Sequence, residues 1–255
     1  MYQLGAQMFT LRDYTKTDEG FLECLKKIKK IGYKNVQVSG IGPDVTFEGA
    51  AEALKETGLF CAATHINFDN LLSDFDREVY RHKLWGCPYV GVGGLPARYI
   101  SEEGYYQFAK DASEVTRKLK AEGLHFIYHN HHHEFAKYGD KIALDILFDN
   151  VCEDFQFELD VHWVVAGGGD PIWWIDKCGG RMDVIHFKDF TIHMPGRERR
   201  YAPIGEGNLN WDGIIAACER NNIKYILIEQ DDCYGRDPFE CLESSYKFLT
   251  GKGLK

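Results

Sequence analysis

Several features that mark common protein classes are missing from this chain. It has no run rich in Lys and Arg, and its net charge is −9, so it is poorly suited to nucleic acid, whose phosphates bind basic surfaces. Its apolar runs stay well short of the ~20 residues that a membrane helix needs. The first residues, MYQLGAQMF, show no charged segment followed by a long apolar one, so they do not predict a signal peptide. We therefore expect neither nucleic acid nor a membrane as a partner.

Cysteine pairs of the CxxC type are also missing. The eight cysteines are scattered along the chain, which disfavours a zinc ribbon and a thiol redox motif. Scattered cysteines of this kind are typical of reduced thiols, several of them buried like small hydrophobic side chains. The cysteine pattern therefore predicts a cytoplasmic protein without disulfides.

Short apolar runs and amphipathic segments alternate along the chain. The eight strand candidates are 4–9, 35–39, 60–66, 89–94, 125–131, 155–161, 184–189 and 225–231. Between them, apolar residues recur at helical spacing. The helix candidates are 20–32, 46–58, 74–86, 106–123, 210–222 and 238–251, with two shorter ones at 141–150 and 171–180. This alternation predicts right-handed βαβ units around a parallel sheet.

Two architectures accommodate such a sheet. Eight strand–helix repeats in ~250 residues match a (β/α)8 TIM barrel, here a single domain over residues 1–255. An open, doubly wound sheet usually carries a glycine-rich phosphate-binding turn after its first strand, and FTLRDYTKTDEG contains none. We therefore predict an α/β fold of the barrel type, with 191–208 as a long loop at the active-site face.

The strand ends, where a barrel gathers its catalytic groups, are unusually polar. Asp160, His186 and Glu229 end strands six, seven and eight, and the two-residue alternation of a strand points them toward a common mouth. Such buried charges need neutralisation, which a divalent cation would supply. The alternatives are that these groups are hydrogen-bonded polar residues or helix caps, and that the run HHH at 131–133 is a solvated loop.

The motifs together resemble the xylose isomerase-like TIM barrel superfamily of sugar isomerases and epimerases, which also contains inosose dehydratase-like proteins and type IV endonucleases. The motifs that carry the resemblance are GAQMFTLRD, YHNHHHEF, ELDVHW, VIHFKDF, PIGEGNLNW and LIEQDD. The resemblance implies a single TIM barrel and one divalent metal ion, such as Mn, Mg, Zn or Co. It places Asp160, His186 and Glu229 at three ligand positions.

The fifth strand departs from the family pattern. Many relatives have a glutamate ligand there, whereas this chain reads His129-Asn130-His131. We expect Glu134, reaching back from the following loop, to be the fourth metal ligand. Direct replacement by His129 is the alternative, and His132 and His133 are expected to face solvent.

The resemblance implies chemistry that begins with removal of a proton next to a carbonyl of a sugar or keto-sugar. Glu229 is the candidate base. His129 or His131 would supply the second proton-transfer group, because imidazole titrates near neutral pH. Lys188 would donate to an oxyanion, or else form an ion pair with Glu206 or Asp189.

Substrate contacts are expected from several further residues, each with a structural alternative. Trp163, Trp173 and Trp174 are candidates for stacking on a sugar, with Trp163 taken as a substrate-binding residue. The alternative is that they lie in the core or at an interface, as most tryptophans do. Three arginines at 197, 199 and 200 would bind phosphate or form a solvated charged run. The remaining substrate-binding candidates are Arg12, His65, His162 and Glu206.

The predicted function is that of a metal-dependent isomerase or epimerase acting on a small-molecule carbohydrate. A lyase or dehydratase of a keto-inositol or 3-keto-glycoside is the main alternative, because it shares the first step. A non-catalytic sugar-binding protein and a type IV endonuclease are further alternatives, and the acidic charge disfavours the endonuclease. Related barrels are often dimers or tetramers, so a homo-oligomer is expected.

Overall fold

Eight parallel strands close into a barrel in this computed structural model, which describes residues 3–255. Each strand pairs with the next along the chain, and β8 pairs with β1. The predicted (β/α)8 TIM barrel is confirmed, and all eight predicted strands are present. Their bounds are β1 Gln3–Gln7, β2 Asn35–Val38, β3 Phe60–Thr64, β4 Tyr89–Val92, β5 His125–His129, β6 Gln156–Asp160, β7 Val184–Phe187 and β8 Tyr225–Ile228.

Helices surround the barrel and follow the predicted segments closely. Several begin at a side-chain cap: the Thr17 hydroxyl accepts a hydrogen bond from the Gly20 amide, and Ser101 does the same for Gly104. The helices are α1 Asp18–Ile31, α2 Phe47–Thr57, α3 Phe68–Ser73, α4 Phe75–Trp85, α5 Glu102–Ala121, α6 Ala143–Asn150, α7 Val161–Ala166, α8 Pro171–Cys178, α9 Trp211–Arg220 and α10 Pro238–Gly251. The sequence did not predict the two short helices α3 and α7.

The segment after β7 differs from the predicted loop. Residues Asp189–His193 and Glu198–Ala202 form an antiparallel hairpin, with Phe190 paired to Tyr201. Periodicity misses this hairpin because much of it is exposed and arginine-rich, without a buried apolar face. The hairpin stands at the C-terminal rim and carries Tyr201 toward the mouth of the barrel.

The barrel interior changes from apolar at its base to polar at its mouth. The base is filled by a small cluster made of Ala62, Ala63, Tyr89, Ile127, Val184 and Leu227. Above it lie fully buried polar side chains, among them Gln7, Gln37, Glu158 and His186. Buried polar groups are stable only when hydrogen-bonded, so this upper layer must satisfy its own donors and acceptors.

The cysteines and the lengths of the helices are two further features of the fold. All eight cysteines are free, and six of them are buried. Among residues 3–255, no helix combines the length and the apolar character that crossing a membrane requires.

Candidate functional site

Three strand ends bring their polar side chains together at the mouth of the barrel. Asp160 and His186 are register partners across β6 and β7, and Glu229 directly follows β8. The Nδ1 atom of His186 lies 3.1 Å from Oε2 of Glu229 and 4.0 Å from Oδ2 of Asp160. All three residues are buried, so their charges interact with little screening by water.

His129 completes this group from the end of β5. Its Nε2 atom lies 3.4 Å from Oδ2 of Asp160. One donor atom from each of His129, Asp160, His186 and Glu229 lies within 4.8 Å of the other three. We call these four residues the donor cluster.

Asp160 also caps the helix that follows it. Its Oδ1 atom accepts a hydrogen bond from the amide of Trp163 at the start of α7, while its backbone amide donates to Oδ1 of Asn130. The two oxygens of the carboxylate are therefore divided between the helix and the donor cluster. Asp160 therefore caps a helix, which was one alternative drawn from the sequence, and it also belongs to the donor cluster.

Glu134 occupies a different position from the one expected for the fourth ligand. Its carboxylate is fully buried, accepts hydrogen bonds from the hydroxyl of Tyr128 at 2.5 Å and the amide of His131 at 2.8 Å, and approaches Nε2 of His133 at 3.1 Å. These contacts hold it in the turn after β5, outside the donor cluster. His129 stands in the cluster instead, which corresponds to the alternative drawn from the sequence.

Lys188 is buried against the carboxylates of the site. Its ammonium lies 3.3 Å from Asp160, 2.9 Å from Glu229 and 2.9 Å from Asp231. Lys188 therefore forms ion pairs, as in the structural alternative drawn from the sequence, but its partners are these three carboxylates and not Glu206 or Asp189. Glu206 pairs with Arg236 at the surface, and the buried Asp189 accepts hydrogen bonds from the chain around 205–211.

These contacts shift several pKa values in the site. Burial favours the neutral form of His186, but Glu158 and Glu229 outweigh it and raise the pKa of this imidazole to about 10. Burial likewise opposes ionisation of Glu229, yet Lys188 and His186 hold its pKa well below the usual range. Burial would lower the pKa of Lys188, and its three carboxylate neighbours raise it instead. The site is thus strongly charged although it is buried.

A cavity of about 220 Å³ opens above the donor cluster. His65 and Gly93 also line a neighbouring open groove of about 530 Å³, which is bordered further by Asn67, Asp69 and Arg98. The cavity is large enough to admit a small polar molecule, and the groove provides further room. The cavity is lined by Phe9, Ser39, His65, Gly93, His129, His131, Lys188, Glu229 and Asp231.

The histidines after β5 have distinct surroundings. His131 lines the cavity, and its Nδ1 atom is buried without a hydrogen-bond partner among the described residues. Burial lowers the pKa of His131 to about 2, so its ring is neutral at ordinary pH. His132 is exposed as expected, whereas His133 is only half-buried and stacks on His131.

Aromatic side chains form one wall beside Lys188. The ammonium lies 5.2 Å from the ring centre of Trp163 and 5.6 Å from that of Tyr201, which is within the range of a cation–π contact. His162 packs behind them against Trp163, Phe190 and Tyr201. Sequence reasoning missed Tyr201, because only the hairpin brings it to the mouth.

The other substrate-binding candidates lie at different distances from the cavity. Arg12 stacks on Phe9 and donates to its carbonyl oxygen, and it lines a neighbouring cavity of about 250 Å³ that shares Asp231 with the first. Trp174 is in the core and Trp173 is exposed. The arginines at 197 and 199 are exposed and the one at 200 pairs with Glu198, so the structure does not bring them to the cavity.

The donor cluster suits a divalent cation. It offers two imidazole nitrogens and two carboxylate oxygens, a set that zinc and similar transition metals accept. The Nδ1 atom of His129 is buried with no hydrogen-bond partner in residues 3–255. The carboxylates of Glu158, Asp160 and Glu229 are buried and that of Asp231 is partly buried. Among the described residues, Lys188 is the lysine that pairs with them, and their other ion-pair partners are His65, His129 and His186. Negative charge therefore exceeds positive charge, and a divalent cation would reduce the excess.

Solved structures of sugar-processing proteins share this fold. A sugar phosphate isomerase/epimerase from Parabacteroides distasonis ATCC 8503 is 22% identical, with a TM-score of 0.80 over 97% of this chain and 93% of that one. L-ribulose 3-epimerase is 15% identical, with a TM-score of 0.76 over 100% and 95% of the two chains. The probable 3-DHS dehydratase AsbF from Bacillus anthracis is 12% identical, with a TM-score of 0.70 over 97% and 98%. At these identities the likeness establishes the fold alone.

Sequence comparison identifies the family. A search of curated protein sequences gives no match. A family model described as the xylose isomerase-like TIM barrel matches residues 25–249, which includes every member of the donor cluster. The chain therefore belongs to the xylose isomerase-like TIM barrel family.

Proposed function

We propose that this chain is a divalent-metal-dependent sugar isomerase or epimerase that removes a proton from the carbon next to a carbonyl of a sugar or keto-sugar. The observation that carries the proposal is the buried donor cluster at the floor of a polar cavity, with Lys188 in contact with two of its carboxylates. The structural neighbours named above are a sugar phosphate isomerase/epimerase, an epimerase and a probable dehydratase. Their names support a reaction on a sugar that begins with removal of a proton.

The four residues of the donor cluster, His129, Asp160, His186 and Glu229, would hold the ion. When bound, a divalent ion acts as a Lewis acid that polarises the carbonyl of the substrate and makes the neighbouring C–H more acidic. The protein residues around the cavity then bind the substrate and move the proton.

Glu229 is the proposed base. Its carboxylate lines the cavity and is kept ionised by Lys188 and His186, which lower its pKa. Asp231 lines the same cavity, and burial together with the charge of Glu229 raises its pKa. Asp231 is paired with Lys188 at 2.9 Å, so Glu229 is the carboxylate proposed to accept the proton.

Lys188 and His131 would orient the substrate. The ammonium of Lys188 is a fixed positive charge at the cavity wall, where it can donate a hydrogen bond to a developing oxyanion. The neutral ring of His131 presents an unpartnered Nδ1 atom, which can hydrogen-bond to a sugar hydroxyl. The groups at the site thus provide a base, a hydrogen-bonding partner for a hydroxyl and an electrostatic stabiliser.

A lyase or dehydratase is the second candidate, and the open groove is the observation that favours it. The cavity of about 220 Å³ is smaller than the ~300–1,000 Å³ typical of ligand pockets, and it shares His65 and Gly93 with the neighbouring larger groove. A leaving group attached to the reacting ring would have room in that groove. Proton removal would then end in elimination rather than in return of the proton.

The test combines metal analysis with solvent exchange. Metal-loaded protein is incubated in D2O with ketoses, keto-inositols and 3-keto-glycosides, and C–H exchange is followed by NMR. We expect exchange that is lost after chelation and in Glu229→Gln. Glu122→Gln is the control, because this exposed carboxylate pairs with Lys83 far from the cavity residues.

The products separate the two candidates. Exchange without loss of water or alcohol supports an isomerase or epimerase, and release of an enone supports a lyase. Exchange that persists in Glu229→Gln at the wild-type rate would remove Glu229 as the base. No exchange with any member of the three substrate classes would contradict the proposed activity.

A further inference from the structure

The two ring nitrogens of His186 face different groups of side chains. Nδ1 faces the donor cluster, 3.1 Å from Glu229. Nε2 faces a layer beneath it, 2.6 Å from Oε1 of Gln37 and 3.3 Å from Oε1 of Glu158. His65, Glu158 and His186 also lie close enough together to resemble a second metal site. A ring nitrogen that carries a proton cannot bind an ion. The position of the proton on His186 therefore determines whether the chain can bind one ion or two.

The orientation of the Gln37 amide is determined by its neighbours. Its nitrogen lies 2.8 Å from Oε1 of Glu158 and 3.3 Å from the carbonyl oxygen of Thr64, and both of these accept hydrogen bonds. The amide oxygen therefore faces His186 and also accepts a hydrogen bond from Nε2 of Gln7 at 2.9 Å. Turning the amide over would place its NH2 against the NH2 of Gln7, and its oxygen against two acceptors.

This orientation fixes the tautomer of His186. The amide oxygen of Gln37 can only accept, so the Nε2 atom of His186 must donate and carries the proton. Glu158 accepts from Gln37 at Oε1 and from Nε2 of His65 at Oε2, and its Oε1 atom also lies 3.3 Å from Nε2 of His186. Both oxygens beside Nε2 can only accept, so both require the proton on that nitrogen. Nδ1 is thus the nitrogen of His186 that is left to bind an ion.

We infer that Gln37 is a positioning residue, which holds His186 with Nε2 protonated and Nδ1 directed into the donor cluster. Glu158 in turn holds the Gln37 amide. The group of His65, Glu158 and His186 is then a hydrogen-bonded support and not a second metal site, so the chain binds one ion. The part of this inference that concerns the ion rests on the proposed function.

The first test measures metal binding. In Gln37→Met the nearer acceptor for Nε2 is lost while the length of the side chain is kept. We expect Zn²⁺ affinity to fall about 10–100-fold, as is typical when a partner of a metal-binding histidine is removed. Asn35→Leu is the matched control, because Asn35 is buried on the same strand and donates to the Leu4 carbonyl, away from His186. We expect Zn²⁺ to bind this control within about twofold of wild type. Melting temperatures of the metal-free proteins show that each variant is folded.

The stoichiometry of binding is the second readout. We expect one Zn²⁺ per chain in the wild type, and one still in Glu158→Gln, which preserves the shape of the support. Two ions in the wild type and one in Glu158→Gln would overturn the inference. So would an unchanged affinity in Gln37→Met.

The third readout is independent of metal. In ¹⁵N-labelled, metal-free protein, we expect a slowly exchanging imidazole Nε2–H signal from His186 that is absent or shifted in Gln37→Met and retained in Asn35→Leu. A wild type that binds no ion but shows this signal would contradict the proposed function and leave the positioning role supported. A signal that is identical in wild type and Gln37→Met would overturn the positioning role itself.

Discussion

Replacing Lys188 with methionine tests how the buried charges of the site are balanced. Lys188 is 1% exposed, and its ammonium lies 3.3 Å from Asp160 and 2.9 Å from both Glu229 and Asp231. Methionine fills a similar volume but leaves these carboxylates without their cation. Removing one partner of a buried ion pair typically costs about 3–5 kcal/mol, because an uncompensated charge stays behind. We expect a loss of free energy of unfolding of this size for metal-free Lys188→Met at pH 8.

The loss should shrink as the pH falls. Lys188 holds the pKa values of Asp160 and Glu229 below their usual range, so its removal lets both rise. Near pH 5 the folded variant can then take up a proton that neutralises one carboxylate. Added Zn²⁺ should likewise protect the variant more than the wild type if the donor cluster binds the ion.

Urea unfolding of metal-free protein at pH 8 and pH 5 measures both effects. Lys224→Met is the control, because Lys224 pairs with Asp183 at 3.0 Å but is 58% exposed. Exposed pairs contribute only up to about 1 kcal/mol. If Lys188→Met lost no more than Lys224→Met at pH 8, the buried carboxylates would not depend on Lys188, and the charge argument for the site would fail.

The remaining predictions concern stability and the loop around the site. Burial lowers the pKa of His82 from 6.5 to about 3. Between these pH values the unfolded chain binds a proton at His82 and the folded chain does not, so the free energy of unfolding falls as the pH drops from 6.5 toward 3. In His82→Gln, we expect the difference in urea stability between pH 7 and pH 4.5 to shrink by about 2–3 kcal/mol, and an unchanged difference would contradict this assignment. Asp189 accepts hydrogen bonds from the amides of Gly205 and Gly207 and from the indole of Trp211. In Asp189→Leu, hydrogen exchange at 203–210 should accelerate at least roughly tenfold while the barrel strands stay protected, and equal protection would exclude Asp189 as the anchor.

The barrel could be predicted because its strands are short apolar runs separated by amphipathic segments, a pattern that depends only on neighbouring residues. The hairpin at 189–202 could not, because it has no apolar face and its pairing is set by its position above the barrel rim. Strand ends in a parallel barrel always meet at one face, so the convergence of Asp160, His186 and Glu229 could also be anticipated. Tyr201 could not be, since it reaches the site only through the hairpin.

The less predictable parts of the site depend on turns and on strand register. The 3-10 turn at His132–Phe135 directs Glu134 to Tyr128 and to the His131 amide. This turn therefore decides that His129, and not Glu134, lies beside Asp160. The partners of Lys188 are decided by the pairing of β7 with β6 and with β8. Gln37 is one of two polar residues in the four-residue strand β2, and its contact with His186 exists only once the barrel is closed.

The imidazole at the end of β5 has a consequence for the choice of metal. A cluster with two nitrogen donors and two carboxylates favours Zn²⁺ or Co²⁺, whereas sites for Mg²⁺ are built from oxygen ligands. His129 is therefore expected to discriminate against Mg²⁺. In His129→Glu, which supplies a third carboxylate at the same strand end, we expect the ratio of Zn²⁺ to Mg²⁺ affinity to fall by at least about tenfold, since carboxylate oxygen suits the harder cation. His125→Glu is the control, because this residue lies at the opposite end of β5. Calorimetric titration with each ion measures the ratio, and a ratio that does not change in His129→Glu would mean that His129 does not bind the ion.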